Sequence, residues 1–97
     1  MASASVIHGW TVPPGVRWRA WEGEVVAFHP GSGDTHLLAP IAGALLEAVA
    51  SGITSKEALL RHVAHHLDLP SDDALAAIVE EALATLVRRG LLSEDPL

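Results

Sequence analysis

The sequence lacks cysteine and tyrosine altogether, and its 97 residues include one phenylalanine and three tryptophans. Without cysteine the chain can form neither a disulfide framework nor a thiolate metal site or nucleophile. No stretch approaches the roughly 20 apolar residues that span a bilayer. Positive charge is also scarce, since 6 Lys and Arg face 12 Asp and Glu for a net charge of −6. This balance disfavours nucleic acid or a membrane surface as the main partner.

The length fits one domain with one modest core, and 49% hydrophobic residues favour a folded chain over a disordered one. We expect residues 1–15 to form an extended lead-in, residues 16–92 the domain, and residues 93–97 a polar tail. Met1–Ile7 has neither a basic start nor a long apolar run, so we expect no signal peptide and a cytoplasmic location.

The first half of the sequence predicts three strands. Val16–Trp21 alternates apolar and charged residues, which is the period of a half-buried strand. Glu24–His29 is rich in β-forming residues and follows a compact turn, so these two segments predict a hairpin. After a second turn at residues 30–34, Thr35–Leu38 predicts a short third strand. Three strands are about the minimum for a stable sheet, and then only if a helix covers one face.

From Pro40 onward the apolar residues recur with a period near 3.6, which predicts three helices. Pro40 suits a first helical position, Thr54 and Glu57 resemble a capping box, and Gly90 is well placed to end the third helix. The predicted fold class is therefore α+β, a three-stranded antiparallel sheet followed by three helices, with a winged helix-turn-helix outline. Each predicted helix has an apolar stripe that we expect to face the core, and Leu91 and Leu92 are expected to pack back on that core. The stripes are Ile41, Leu45, Leu46 and Val49 in the first helix, Leu59, Leu60, Val63 and Leu67 in the second, and Leu75, Ile78, Val79, Leu83, Leu86 and Val87 in the third.

A winged-helix outline makes a DNA-binding regulator one alternative function. The third helix, where base-reading side chains would lie, instead carries acidic residues along its length and basic residues only at its end. This charge pattern disfavours sequence-specific DNA binding.

A metal-binding regulatory module is a second alternative. His62, His65 and His66 have the i, i+3, i+4 spacing that zinc ligands on a helix can use. The core stripe of that helix falls on other positions, so we expect these histidines to face solvent and assign no metal or cofactor. For His29 and His36, a cross-strand pair or a turn brace is favoured over metal ligation.

The Gly-rich turn and the tryptophans also have simple structural interpretations. Gly31–Asp34 lacks the lysine of a phosphate-binding loop, so a tight turn with positive φ at a glycine is favoured. Ser32 has no activating base that spacing can assign, so no enzymatic activity is predicted.

Trp18 is expected to cover one face of the sheet, and Trp10 is the candidate for a dimer contact or a flap over a groove.

The third predicted strand leaves an open edge, which nothing in residues 34–38 blunts with Pro or Lys. The third helix could lie beside it and offer the small residues Ala77 and Ala84, near Glu80 and Glu81. An extended peptide could then add as a further strand, with the helix supplying side-chain pockets. The residues alone leave two alternatives open, a short solvated edge and an edge covered by the lead-in.

Three segments also carry a family resemblance: Trp21–Leu38, Pro40–Leu46 and Arg89–Leu92. With them, residues 16–92 resemble the PqqD family of peptide chaperones, also called RiPP recognition elements. Phe28–Leu38 is the most specific part. The chain looks most similar to the branch associated with HPr kinase-related (HPr-rel-A) gene systems. It departs from better-understood members in having Ala39–Pro40 where an Asn-Pro pair is common, and in its histidine-flanked turn.

The resemblance implies a non-catalytic peptide chaperone of natural product biosynthesis. A precursor (leader) peptide would add to the third strand and rest against the third helix, and the domain would present it to a separate modifying enzyme. An HPr kinase-related protein is the candidate enzyme, and a homodimer stays open. The net negative charge would favour a peptide with basic residues near Glu80 and Glu81, and high salt would weaken its binding. Carried over by position, the peptide-binding residues are Thr35, His36, Leu37, Leu38, Ala77, Glu80, Glu81 and Ala84.

Overall fold

The computed structural model describes residues 9–22 and 24–95, and the predictions made for residues 1–8, for Gly23 and for residues 96–97 lie outside this part of the chain. The elements in chain order are β1 (Gly9–Thr11), β2 (Arg17–Trp21), β3 (Glu24–Phe28), β4 (Thr35–Leu38), α1 (Pro40–Ala50), α2 (Lys56–His66), α3 (Asp73–Arg88) and β5 (Ser93–Asp95).

The predicted α+β fold is confirmed. Strands β2, β3 and β4 form an antiparallel sheet in that order, and three helices follow. Two further strands were not predicted: β1 and β5 pair with each other as an antiparallel ribbon, with Trp10 opposite Glu94. Strands of three residues are too short to show an alternating pattern, and β5 lies in a polar segment.

The register of the sheet decides which side chains share a face. Residues directly opposite in an antiparallel pair point to the same side, so the pairs Val25–Leu38 and Ala27–His36 share one face. Val25, Ala27 and Leu38 are buried, so this is the inner face, which meets the helices. The residues between them point to the outer face, away from the helices.

Helix α1 joins the layers of the fold. It contacts β3, β4, α2, α3 and β1. It is buried on more than one side, at Gly43, Ala44, Leu45, Leu46, Ala48 and Val49. Gly43 lies directly against Val25, because a Cβ built on Gly43 would be 2.6 Å from the Val25 Cγ2. The absence of a side chain therefore sets how closely α1 can approach the sheet.

Both later helices begin with a side-chain cap. The Ser55 side chain accepts a hydrogen bond from the backbone N–H of Ala58 at 3.2 Å, so the prediction that Thr54 is the cap of α2 is wrong. Asp72 caps α3 by accepting from the Leu75 N–H at 3.0 Å. The Ser55 backbone is extended (φ −89°, ψ 145°), which aims its hydroxyl at the N–H three residues on.

The core confirms most of the predicted apolar stripes and corrects the assignment of Trp10. Trp10 is 8% exposed and belongs to the core, so it is not a free flap or dimer contact. Trp18 is 36% exposed and Trp21 64%, and every residue of β2 is exposed, so the prediction of a half-buried strand is wrong. Helix α1 contacts β3 and β4, which leaves β2 at the uncovered side of the sheet. Ile78, predicted as core, is 50% exposed.

His29 braces the turn between β3 and β4, as one of the two interpretations predicted. Its Nδ1 accepts hydrogen bonds from the backbone N–H groups of Gly31 and Ser32, at 3.1 and 3.2 Å. The alternative, a direct His29–His36 pair, is wrong, because His36 lies opposite Ala27. The turn needs positive φ only at Gly33, where φ is +76°. On its other side the His29 ring lies against Gly90.

Among the described residues, no helix is long and apolar enough to span a bilayer.

Substituting Gly43→Ala tests the contact between α1 and β3. Alanine favours helix by about 1 kcal/mol over glycine, yet its methyl group would meet the buried Val25 side chain. We expect the free energy of unfolding, measured by urea titration, to fall by about 1–3 kcal/mol. Adding Val25→Ala should then cost less than it does in the wild type. A stabilised Gly43→Ala protein would contradict the close contact.

Gly33→Ala and Gly90→Ala form a matched pair that tests the position of His29. Both glycines have φ of +76°, so alanine strains the backbone equally, by about 1–2 kcal/mol. A Cβ on Gly33 meets nothing within 4 Å, whereas one on Gly90 lies 2.7 Å from the His29 Nε2. Gly90→Ala should therefore destabilise the fold more, and His29→Ala should reduce the difference. Equal urea midpoints for the two alanine variants would contradict the contact.

Candidate functional site

Strand β4 is an edge of the three-stranded sheet, and within residues 9–22 and 24–95 no strand pairs with its outer side. The His29 N–H donates to the Asp34 carbonyl at 3.0 Å, which makes these opposed residues a hydrogen-bonded pair. Hydrogen-bonded pairs recur at every second position of an antiparallel ladder, so His36 and Leu38 bond inward to β3. Thr35 and Leu37 consequently turn their N–H and C=O groups to the open edge.

A groove runs between this edge and helix α3. On the helix, Ile78, Ala82, Thr85 and Arg89 follow one another at spacings of four, three and four, which places them on one face. The groove volume is about 380 Å³, within the usual range for ligand sites. The lining residues are Leu37, Leu38, Ala39, Ala42, Ile78, Glu81, Ala82, Thr85, Leu86 and Arg89.

The groove continues past the end of β4 into an apolar pocket of about 510 Å³. The two cavities share Ala39, Ala42, Ile78 and Ala82, so they form one continuous trough. The second pocket adds Pro40, Ile41, Leu67 and Leu69, from the start of α1 and the end of α2. None of the described residues that line it is charged.

The groove carries one charge of each sign. Glu81 on α3 and Arg89, the C-cap of that helix, both line it, and eight residues correspond to about 12 Å along the helix axis. Arg89 lies near the β3–β4 turn, because Gly90 packs against His29. The two ends of the groove therefore differ in electrostatic character.

The predicted site residues fall into three groups. Leu37, Leu38 and Glu81 line the groove, and Thr35 stands on the open edge. His36 is half-buried and bonds inward to β3. Three helix residues lie elsewhere: Ala77 is exposed outside the groove lining, and Glu80 and Ala84 line a different groove.

The structure also adds groove residues that sequence reasoning missed, and four of them share one face of the helix side of the groove. Ile78, Ala82, Thr85 and Arg89 belong to the face of α3 that looks toward β4. Their helical spacing was visible in the sequence, but Ile78 fitted the core stripe equally well. Only the packing of α3 on α1 and α2 decides which side of the stripe stays open.

The second groove lies on the opposite side of α3 and has a volume of about 530 Å³. The Lys56 ammonium donates a hydrogen bond to Glu80 there, and this bond and the lysine's charge lower the pKa of the Glu80 carboxyl. Because both side chains are exposed, the pair adds little stability. Glu80 is thus engaged with Lys56, away from the β4 edge. The groove is lined by Trp10, Ser55, Lys56, Glu57, Glu80, Leu83, Ala84, Val87 and Glu94.

The histidines of α2 lie mostly toward solvent, as predicted. His65 and His66 are exposed and His62 is half-buried, and the rings of His62 and His66 stack with centroids 5.7 Å apart. Across the described residues, no group of three His, Cys, Asp or Glu is placed to hold a metal ion.

Comparison with solved structures supports the fold. One similar chain is that of "TbiB1 in Complex with the TbiA(beta) Leader Peptide", with a TM-score of 0.73 and 16% sequence identity. The alignment covers 86% of this chain and 94% of that one. At this identity the likeness concerns the fold. No curated protein sequence matches the chain.

Comparison with protein families gives a match over most of the chain. The family model described as "Coenzyme PQQ synthesis protein D (PqqD)" matches residues 24–92. This range begins with β3 and includes β4, all three helices and Leu91–Leu92. It therefore contains both walls of the groove, and the chain belongs to the PqqD family.

Proposed function

We propose that the chain is a non-catalytic adaptor that binds a leader peptide by strand addition at β4 and presents it to a modifying enzyme. The observation that carries the proposal is the open edge of β4 beside the groove. Thr35 and Leu37 offer backbone hydrogen bonds to an added strand, and the face of α3 behind them offers side-chain contacts. Strand addition needs both features in one place.

Family membership and the similar structure support the same function. The solved TbiB1 chain carries a leader peptide, and its fold is shared over most of both chains. In the present chain the groove lining is mostly apolar, with one carboxylate and one guanidinium. This composition suits binding of an amphipathic peptide better than bond-breaking chemistry, which needs an activated nucleophile or an acid–base pair.

The groove specifies the chemistry of the peptide. Alternate side chains of an added strand would point toward α3, and apolar ones would enter the trough between Leu38 and Ile78. A basic residue fits beside Glu81 and an acidic one beside Arg89. We place Thr35, Leu37, Leu38 and Glu81 of the predicted residues at this site, together with Ile78, Ala82, Thr85 and Arg89.

The finer assignments form part of the same proposal. We place the chain in the HPr-rel-A branch of the family, in the cytoplasm, with an HPr kinase-related protein as the enzyme served. The branch and the enzyme served are inferred from the family resemblance, of which Phe28–Leu38 is the most specific part.

Thr35→Pro tests strand addition directly. The substitution removes an outward N–H but no bond to β3, so the edge strand should tolerate it. The probe is a synthetic peptide selected on the wild-type protein from a displayed library of random 20-residue peptides. The affinity of this peptide, measured by fluorescence anisotropy, should fall about tenfold. The fall corresponds to the loss of one backbone hydrogen bond and to poorer alignment of the hydrogen bonds next to it. Thr35→Ala, which keeps the N–H, is the control, and circular dichroism checks folding. Equal affinity for both variants would rule out the β4 edge.

Ala82→Trp and Ala77→Trp distinguish the two faces of α3. Ala82 lines the groove and the adjoining pocket, so an indole there should fill the trough and weaken the same peptide at least tenfold. Ala77 is exposed outside the groove lining, so its tryptophan variant should bind like wild type. If Ala77→Trp alone blocks binding, the peptide rests on the other face of the helix and the proposed groove is wrong.

A further inference from the structure

The outer face of the three-stranded sheet exposes an unusual amount of apolar surface. Trp21 is 64% exposed, Leu37 62%, Phe28 39% and Val26 37%. The register places Val26 between Arg19 and Leu37, and it places Phe28 between Arg17 and Thr35. These side chains are therefore neighbours on one face, which we call the outer patch. The helices pack on the opposite face of the sheet, so the outer patch contributes nothing to the core.

Contiguous exposed apolar surface on a small protein usually marks an interaction site. The charges around the outer patch indicate what it would bind. Arg17 and Arg19 lie on it, two of the six positive charges in a chain of net charge −6. Acidic groups stand at the Trp21 end of the outer patch, where Glu24 lies opposite Trp21 and the Glu22 carboxylate accepts a hydrogen bond from the Trp21 indole N–H at 3.1 Å. At the other end, where Arg17 and Arg19 lie beside Phe28 and Val26, a complementary surface would present apolar side chains together with carboxylates.

The outer patch is continuous with the proposed peptide site. A strand added to β4 would lie about 4.8 Å from it, with alternate side chains on the outer face beside Leu37. A protein surface seated on Val26 and Leu37 would then touch the bound peptide as well. Holding enzyme and peptide on one surface raises their effective concentration toward each other, which is the purpose of an adaptor.

We propose that the outer patch is the docking surface for the peptide-modifying enzyme, through an apolar and acidic region of that enzyme. This inference rests on the proposed function and adds the surface at which the enzyme is recruited. The peptide uses the edge and groove of β4, whereas the enzyme uses the outer face of the same sheet. Both partners can therefore be bound at once.

A second copy of the chain fits the outer patch less well. Three strands of about five residues cover of order 250 Å², well below the roughly 800 Å² that each partner of a stable complex buries. A face-to-face pair would also bring Arg17 and Arg19 of one copy near those of the other. An enzyme that contacts the sheet, the bound peptide and the surrounding loops reaches a larger area. An anionic membrane would attract the two arginines but repel the acidic chain as a whole.

The test uses single substitutions that leave the groove intact. Arg19→Glu reverses a charge on the outer patch, and Arg61→Glu makes the same change on the exposed side of α2 as the matched control. Val26→Lys removes apolar contact while adding positive charge, so it separates apolar docking from charge attraction alone. The probe is the modifying enzyme that tagged wild-type protein retains from its native host, identified by mass spectrometry and purified separately. Calorimetry measures its affinity, and anisotropy measures that of the selected peptide.

We expect Arg19→Glu and Val26→Lys each to weaken enzyme binding at least tenfold, with Arg61→Glu unchanged and peptide affinity constant throughout. Unchanged enzyme affinity in both outer-patch variants overturns the inference, as does tighter binding by Val26→Lys. If wild type binds the peptide but retains no modifying enzyme, the inference fails while the proposed function stands. If wild type binds no peptide, the proposed function fails and the inference with it.

Two other results would assign the outer patch to a different partner. A dimer that is seen in light scattering and dissociates in Arg19→Glu would assign it to a second copy of the chain. Binding to phosphatidylglycerol vesicles that is lost in Arg19→Glu would assign it to a membrane.

Discussion

The contact between Gly43 and Val25 fixes the position of helix α1, and the rest of the structure depends on that position. A Cβ at Gly43 would lie within 3 Å of two Val25 atoms, so the helix backbone approaches β3 as closely as it can. With α1 at this depth, Leu38 at the end of β4 is buried. Helix α3 packs on α1 and α2. The separation between β4 and α3, and so the width of the groove, follows from how α1 lies on the sheet.

The other end of the groove is fixed by His29. His29 comes directly after β3, and its ring connects this strand to two other parts of the chain. The ring accepts two hydrogen bonds from the backbone of the turn, and it packs against Gly90 after α3. The β3–β4 turn is thereby held beside the C-terminal end of α3, where Arg89 lines the groove. The histidine-flanked turn, residues 29–36, therefore has a structural role in the edge it leads into.

The parts of the fold that could be predicted from the sequence are those with strong local patterns. Strand β4 was predicted at its observed bounds, and the start of α1 at Pro40 was predicted as well. The ribbon of β1 and β5 was missed because its pairing joins residues more than 80 positions apart, through strands of three residues. The exposure of β2 was missed because alternation shows that a strand has two faces, but not whether a helix reaches either one.

The candidate site was predictable on its strand side and only partly on its helix side. The open edge follows from strand order in a short meander, and the missing Pro and Lys were visible in residues 34–38. On α3, however, the small residues Ala77 and Ala82 and the acidic residues Glu80 and Glu81 have similar chemistry but lie on different sides. Tertiary packing separates them, and Lys56 on α2 binds Glu80. One sequence pattern was thus compatible with two helix faces.

In the proposed complex, strand β4 serves two partners, because a strand at the edge of a sheet has three separate surfaces. Its inward side chain at Leu38 joins the core, its outward backbone groups at Leu37 face a free edge, and the Leu37 side chain lies on the outer face. Soluble proteins usually protect both an open edge and an exposed apolar face, since each promotes aggregation. Within the described part of the chain, nothing covers either surface of this four-residue strand, and the outer face also carries two of the five arginines. An adaptor that brings a peptide strand and an enzyme together needs these two surfaces side by side, whereas a chain with one partner would need only one of them.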